Sequence, residues 1–454
     1  MQKSIHFISI GGSAMHNLAI SLQQYGHIVT GSDDELYEPS RSRLEQQGIL
    51  PAKAGWFPEK ITMELSAVIV GMHARKDNPE LLKAQQMGIP VFSYPEYVYE
   101  QSKQKQRVVI AGSHGKTTIT SIIIHVLAYH NQSFDYLVGA QPDGFATMAR
   151  LTADAPIIII EGDEYASSPI DSQPKFLHYN PHIALISGLA WDHVNFYPTW
   201  DEYVSQFEHL AEAMPKAGIL IFDESDDMLD IIGQKERTDI TKVPYNVHPS
   251  TIVNGQTFLI TKQNAPVPVR IFGEHNMKNI AGAMTVLDYI GITEKQFYEA
   301  IPAFKGNEFR LEKMAQRDNR ILFRDLAHSP STVRATTNAV EKQYPESRLL
   351  AIVELHTPDS LSNEFLSQYK GTLDSADMSA VYLDALALST RQNDPVTTSD
   401  VIDAFGRSDL HVLSSPDELR TFILEQCSKT DLTLMMSSAS FGGLDITSLF
   451  NNLS

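Results

Sequence analysis

Residues 107–127 read RVVIAGSHGKTTITSIIIHVL, from Arg107 to Leu127. The apolar run before Gly112 has the composition of a strand covered on both faces, and the run after Lys116 reads as a helix. Between them, Gly112, Ser113, His114, Gly115, Lys116, Thr117 and Thr118 form a loop suited to a polyphosphate. Glycines let backbone N–H groups turn inward around phosphate oxygens, and the helix N-terminus adds the positive end of its dipole. Lys116 supplies a point charge, and Thr117 offers a hydroxyl to Mg2+. The general Walker spacing would require glycine where Ile110 stands, so the loop is a variant of that pattern.

On the N-terminal side of this loop, residues 4–10 are predicted as a strand, Gly11 and Gly12 as a turn, residues 15–25 as a helix and residues 27–31 as a second strand ending at Ser32 and Asp33. The alternation continues through strands at 66–71 and 89–94 with a helix over 79–87, and the polar stretch 101–106 reads as a linker. On the C-terminal side, two apolar runs, 156–164 and 182–193, are predicted as further buried strands, and a helix opens near Glu274. A third block carries strands over 320–324, 348–354, 380–383 and 433–436. The whole reads as an α/β chain of three domains, 1–104, 105–303 and 304–454.

Composition agrees with that division. At 454 residues the chain exceeds one ordinary core, and roughly 100–200 residues per domain give about three. Apolar residues make up 43% and charged ones 20%, a soluble globular balance. The formal net charge of −19 argues against nucleic acid as a partner. A single cysteine, Cys427, excludes an intramolecular disulfide framework and fits a reducing compartment. The first apolar run is too short for a secretory core, and none approaches the roughly 18 apolar residues of a membrane span. The expected location is the cytoplasm, with no membrane partner.

Several polar groups fall at strand ends, where open α/β sheets bind ligands. Glu161, followed by Gly162, Asp163 and Glu164, ends one apolar run and is a candidate for the Mg2+ that Thr117 would touch. His193 ends the next and is a candidate ligand of a second ion. Asn276 and Asn279, spaced i, i+3, offer two amides along one helix face, which suits a base edge. Arg310 and Asp325 flank a strand of the third block, where an arginine can neutralise a transferring phosphate and an aspartate can hold a ribose. The first turn, Gly11, Gly12 and Ser13 with Asp33 beyond it, fails the full dinucleotide fingerprint but can hold a nucleotide-sugar diphosphate through backbone N–H groups.

Taken together, these residues resemble the Mur ligases, ATP-dependent enzymes that join amino acids or peptides to UDP-N-acetylmuramic acid. The likeness comprises the HFISIGG start, the GSHGKTT loop, the EGDEY strand end, the DH strand end, the GEHNMKN helix, the R-L-E element and the DLAHSP segment. It implies a Rossmann-like N-terminal domain for the UDP-sugar, a central P-loop ATPase-like parallel-sheet domain, and a Rossmann-like C-terminal domain for the amine. It also implies ATP and Mg2+, with UDP-N-acetylmuramate and a peptide or amino-acid amine as partners. By that resemblance Lys116 would hold the β and γ phosphates, Asn276 and Asn279 the adenine, Arg310 the transferring phosphate and Asp325 the ribose. His328 has no assigned role.

Passages 175–181, 206–210 and 436–443 resemble the branch that adds the tripeptide L-alanyl-γ-D-glutamyl-meso-diaminopimelate, with the L-alanine-adding branch as the alternative. Ser9 and Ala14 replace glycines of the family's first turn, and Leu326 and Ser329 alter the pattern after Asp325. The residues alone leave open a non-catalytic nucleotide-sugar binding protein and an NAD(P)H enzyme built on the first turn. Oligomeric state leaves no mark on the sequence.

Overall fold

A computed structural model describes residues 2–191, 196–357, 360, 363–383 and 396–452. The chain divides into two compact units, Met1–Asn246 with Asn279–Ile301, and Val247–Lys278 with Pro302–Ser454. In the first unit, four parallel strands lie in the order Ile28–Ser32, Ser4–Ile8, Ala67–Val70 and Val91–Ser93. Ala67–Val70 is buried along its whole length, which is why it is apolar throughout and does not alternate.

The first strand, expected over 4–10, ends at Ile8 because Ser9 turns into the left-handed region at φ +64°. The N–H groups of Ser9 and Ile10 then both donate to the Ser32 carbonyl, at 2.9 and 3.2 Å. Ser9 is buried, and its hydroxyl finds no hydrogen-bond partner among the described residues.

The same unit holds a seven-stranded sheet in the order Thr241–Tyr245, Ile219–Asp223, Ile183–Ile186, Gln106–Ala111, Ile157–Glu161, Asp135–Leu137 and Ala149–Arg150. It is parallel apart from the last pair. The helix Lys116–Tyr129 follows the central strand although its opening stretch, KTTITSIII, is rich in β-branched residues. Ile119, Ile122, Ile123, Ile124 and Val126 have no exposed surface. Burying each such side chain contributes roughly 1.5–3 kcal/mol, well above the roughly 0.5 kcal/mol lost to poor helix propensity.

The strand expected over 182–193 stops at Ile186. Its neighbour Gln106–Ala111 ends at Ala111, the register partner of Ile186; Ser187 N–H still donates to the Ala111 carbonyl at 3.0 Å, and Gly188 then turns away at φ +143°.

In the second unit, six strands lie in the order Glu312–Arg317, Arg320–Asp325, Leu432–Met436, Leu349–Leu355, Met378–Leu383 and His411–Leu413. Only the first pair is antiparallel. A three-stranded antiparallel sheet, Ser250–Val253, Gln256–Ile260 and Pro266–Val269, belongs to the same unit. Its first hairpin turns on Asn254 and Gly255, both at positive φ, as a two-residue primed turn requires. No helix among the described residues is long and apolar enough to cross a membrane.

A left-handed non-glycine residue costs roughly 1–2 kcal/mol, while glycine's greater freedom in the unfolded chain takes back roughly 0.5–1 kcal/mol. Ser9→Gly is therefore expected to stabilise the chain by about 0.5–1 kcal/mol in urea unfolding. A midpoint below the parent's would show that the serine hydroxyl supports the turn.

Candidate functional site

The strand Gln106–Ala111 runs into Gly112 at φ +119°, and Gly115 caps the following helix at φ +79°. Neither position accepts a side chain. A Cβ on Gly112 would lie 2.5 Å from Ser187 Oγ, and one on Gly115 would lie 2.2 Å from Asn279 Oδ1. The loop is braced by the segment after the neighbouring strand. Ser113 N–H donates to the Gly188 carbonyl at 2.9 Å, and Ala190 N–H donates to Ser113 Oγ at 2.8 Å. Ser113 Oγ also shares a 2.7 Å hydrogen bond with the Tyr203 hydroxyl, and the Ser187 hydroxyl donates to the His114 carbonyl.

At the helix start, Lys116 Nζ donates to the Gly112 carbonyl at 2.6 Å and to Glu164 Oε2 at 2.9 Å. The Thr117 hydroxyl donates to Glu161 Oε1 at 2.7 Å, and Gly139 N–H donates to Glu161 Oε2 at 2.5 Å. Lys175 Nζ donates to Asp163 Oδ2 at 2.9 Å and lies 4.0 Å from the centre of the Tyr165 ring. Three carboxylates, Glu161, Asp163 and Glu164, thus face two ammonium groups, Lys116 and Lys175.

Burial opposes the charge on Lys116, but Glu164, Asp163 and Glu161 outweigh it and hold its pKa above the ordinary lysine value. Burial also pushes Asp163 up, yet Lys175 and Lys116 overcome it and Asp163 sits below the usual carboxylate range. Glu161 is raised, first by burial and then by Asp163, against the hydrogen bonds from Thr117 and Gly139. An oxygen-seeking divalent cation would relieve that strained negative charge. The Thr117 hydroxyl and the Glu161 carboxylate are the oxygen donors that Mg2+ prefers, so the residues fit the ion. Phosphate oxygens would compete with Glu164 for the Lys116 ammonium.

The first turn is closed from within. Gly11 N–H donates to Asp33 Oδ2 at 2.7 Å, and burial raises Asp33 to about 6 despite that bond. Gly12 precedes the helix Ser13–Gln24 as its N-cap. The helix Glu274–Tyr289 runs across the division between the units. On it, Asn276 Nδ2 donates to the Phe272 carbonyl at 2.8 Å, while Asn279 lies against Gly115.

In the second unit Asp325 is buried and organises the loop that carries Arg310. Its Oδ2 accepts from Leu311 N–H and its Oδ1 from Ala327 N–H, each at 2.6 Å. Phe309 and Leu311 both take positive φ, which leaves the Arg310 side chain exposed between them. Burial raises the pKa of Asp325, opposed first by the charge of Arg310. His328 Nδ1 lies 2.8 Å from the Leu326 carbonyl, and its ring centre is 5.7 Å from that of His356. His193 lies outside the described residues.

Lys116, Thr117 and Glu161 are therefore brought together, with Asn279 beside the same loop; Arg310, Asp325 and His328 form a second group in the other unit. Sequence reasoning missed Lys175 and the ion partners of Lys116 and Lys175. Acids at 163 and 164 directly after a buried strand, followed by a lysine at 175, were the available signal. Tyr203, which reaches Ser113 from a helix 90 residues away, left none.

Residues 4–106 match the model described as Mur ligase family, catalytic domain, and residues 110–287 match the Mur ligase middle domain. The chain is 26% identical over 460 residues to the UDP-N-acetylmuramate–L-alanyl-γ-D-glutamyl-meso-2,6-diaminoheptandioate ligase of Haemophilus influenzae, covering 97% of each chain. It is 30% identical over 400 residues to the UDP-N-acetylmuramate–L-alanine ligase of Lactiplantibacillus plantarum, covering 85% of each. The crystal structure of a murein peptide ligase from Psychrobacter arcticus shares the fold over 100% of both chains, with a TM-score of 0.66 at 24% identity.

Removing one partner of a buried ion pair costs roughly 3–5 kcal/mol where nothing replaces it. Because Glu161 and Asp163 remain near Lys116, Glu164→Gln is expected to destabilise the chain by about 2 kcal/mol in urea unfolding. An unchanged midpoint would show that the remaining acids already hold the ammonium.

Proposed function

Because the chain belongs to the Mur ligase family, whose members are ATP-dependent, ADP-forming acid–amino-acid ligases, we propose that its reaction joins the tripeptide L-alanyl-γ-D-glutamyl-meso-diaminopimelate to UDP-N-acetylmuramate, as in peptidoglycan recycling. The observation that carries the ligase reading is the Lys116 ammonium at a helix start, beside the Thr117–Glu161 contact of 2.7 Å. The choice of amine rests on the relative matched over 97% of both chains. L-Alanine is the second reading, favoured by the 30% identity to the Lactiplantibacillus enzyme.

In the proposed reaction a lactyl carboxylate oxygen bonds to the γ-phosphorus of ATP and ADP leaves, giving an acyl phosphate. The amine nitrogen then attacks the acyl carbon. The tetrahedral intermediate collapses with loss of phosphate, and one proton leaves the amine. Two anions must meet, so cationic groups are needed where charge moves. Lys116 would grip the β and γ phosphates in place of Glu164. Mg2+, when bound, would neutralise phosphoryl charge, with Thr117 and Glu161 holding it and His193 assigned to a second ion.

Asn276 and Asn279 would contact adenine, Arg310 the transferring phosphate and Asp325 the ribose. Gly11, Gly12, Ser13 and Asp33 would serve the UDP-sugar diphosphate. Because Gly11 N–H already donates to Asp33, the acid's part is to shape the turn around the ligand.

Phosphate release with UDP-N-acetylmuramate, ATP and Mg2+ is expected with the tripeptide and to be much weaker with L-alanine. Release confined to L-alanine would move the chain to the other branch, and release with neither would remove the ligase reading. Lys116→Ala is expected to lower the turnover by at least about a hundredfold, the scale of a lost charge-stabilising donor. A rate near the parent's would exclude Lys116 from phosphate binding.

A further inference from the structure

Away from the phosphate loop, three side chains of the first unit converge. Glu96 lies in the first turn of the helix Tyr94–Ser102, Asp171 opens the strand Asp171–Pro174, and His178 ends the short helix Lys175–His178. Each offers one ligand atom, and these atoms all lie within 4.8 Å of one another. His178 Nε2 and Asp171 Oδ2 approach to 2.7 Å, close enough for an ion pair. Yet neither atom makes a hydrogen bond of acceptable geometry, and both are shut off from solvent. The side chains are only 13% and 19% exposed. An imidazole nitrogen and two carboxylate oxygens are thus gathered in one small volume, where the close His178–Asp171 pair is left without a satisfying hydrogen bond.

Hydrogen bonds to the two carboxylates hold this set in place. Asp171 Oδ1 accepts from Gln173 N–H at 3.0 Å, which leaves Oδ2 for the cluster. Glu96 Oε2 accepts from Ser93 N–H at 2.7 Å as part of a capping box, which fixes the glutamate rotamer. Such bonds hold the side chains of a metal site in shape before the ion arrives.

We propose that Glu96, Asp171 and His178 form a binding site for one divalent ion of the Zn2+ type. An imidazole nitrogen with two carboxylate oxygens suits Zn2+, whereas Mg2+ prefers an all-oxygen shell. Three protein ligands leave room for water to complete the shell. The ion would tie the helix Tyr94–Ser102 to the segment 171–178. That segment also carries Lys175, whose ammonium holds Asp163 beside the phosphate loop. The site would therefore fix one wall of the loop's acid cluster without taking part in chemistry. The inference uses residues apart from those of the ligase reading and stands or falls separately.

The test is equilibrium binding of Zn2+ to the full, chelator-stripped, nucleotide-free chain, by calorimetry and by metal content after gel filtration. One ion per chain is expected, with binding weakened at least about tenfold in both His178→Ala and Asp171→Asn, the smallest loss usual for damage to a metal site. Glu161→Gln is expected to leave it unchanged, which separates this site from the one beside Thr117. Asp171→Asn keeps the shape of the side chain and answers the question if His178→Ala fails to fold, as judged by circular dichroism. Binding unaltered by Asp171→Asn, binding lost instead in Glu161→Gln, or uptake only at millimolar Zn2+ would each overturn the proposal.

Discussion

Charge balance at the carboxyl end of the central sheet constrains everything near it. An ammonium group carried into the interior must be met by carboxylates, and carboxylates carried in must be met by cations, or the group loses its charge. Lys116 and Lys175 are met by Glu164 and Asp163, and Glu161 is met by a hydroxyl and a backbone N–H. The loop can close on itself in this state because each charge has a partner within the fold. The surplus is negative and lies on Glu161, next to Thr117, where an incoming cation would have the most to relieve.

That balance requires close approach, and close approach requires glycine at particular points. Gly112 gives room to Ser187 and Gly115 to Asn279, so the loop, the next strand's exit and the helix Glu274–Tyr289 are fitted to one another. Gly139 is crowded by Glu161 in the same way, with any Cβ 2.7 Å from Oε1. The loop conformation is thus as much a property of three neighbouring segments as of residues 112–118.

A second device appears once in each unit. Asp33 directly follows a strand and Asp325 ends one, both are buried, and both have raised pKa values because burial outweighs their hydrogen bonds. Each accepts backbone N–H groups from a turn: Asp33 from Gly11, Asp325 from Leu311 and Ala327. A carboxylate in this position gives an irregular loop a fixed shape by satisfying donors that no strand or helix can. Any role such an acid has toward a ligand is built on that structural duty.

The sequence by itself determined the phosphate-loop candidate, the α/β alternation and the family, because these depend on local signals. Apolar runs without alternation announce strands covered on both faces, and glycines beside a lysine announce a tight anion-binding turn. It also marked Glu161, since an acid directly after such a strand falls at the ligand-binding edge. Tertiary structure decided the pairing of Lys116 with Glu164 and of Lys175 with Asp163, the stop at Ile186, and the meeting of Glu96, Asp171 and His178. Lys116 and Glu164 stand 48 positions apart, Glu96 lies far along the chain from the segment 171–178, and the stop at Ile186 depends on where a neighbouring strand ends. Spacing in the sequence carries no record of such distances; they are set by which strands lie side by side in the sheet.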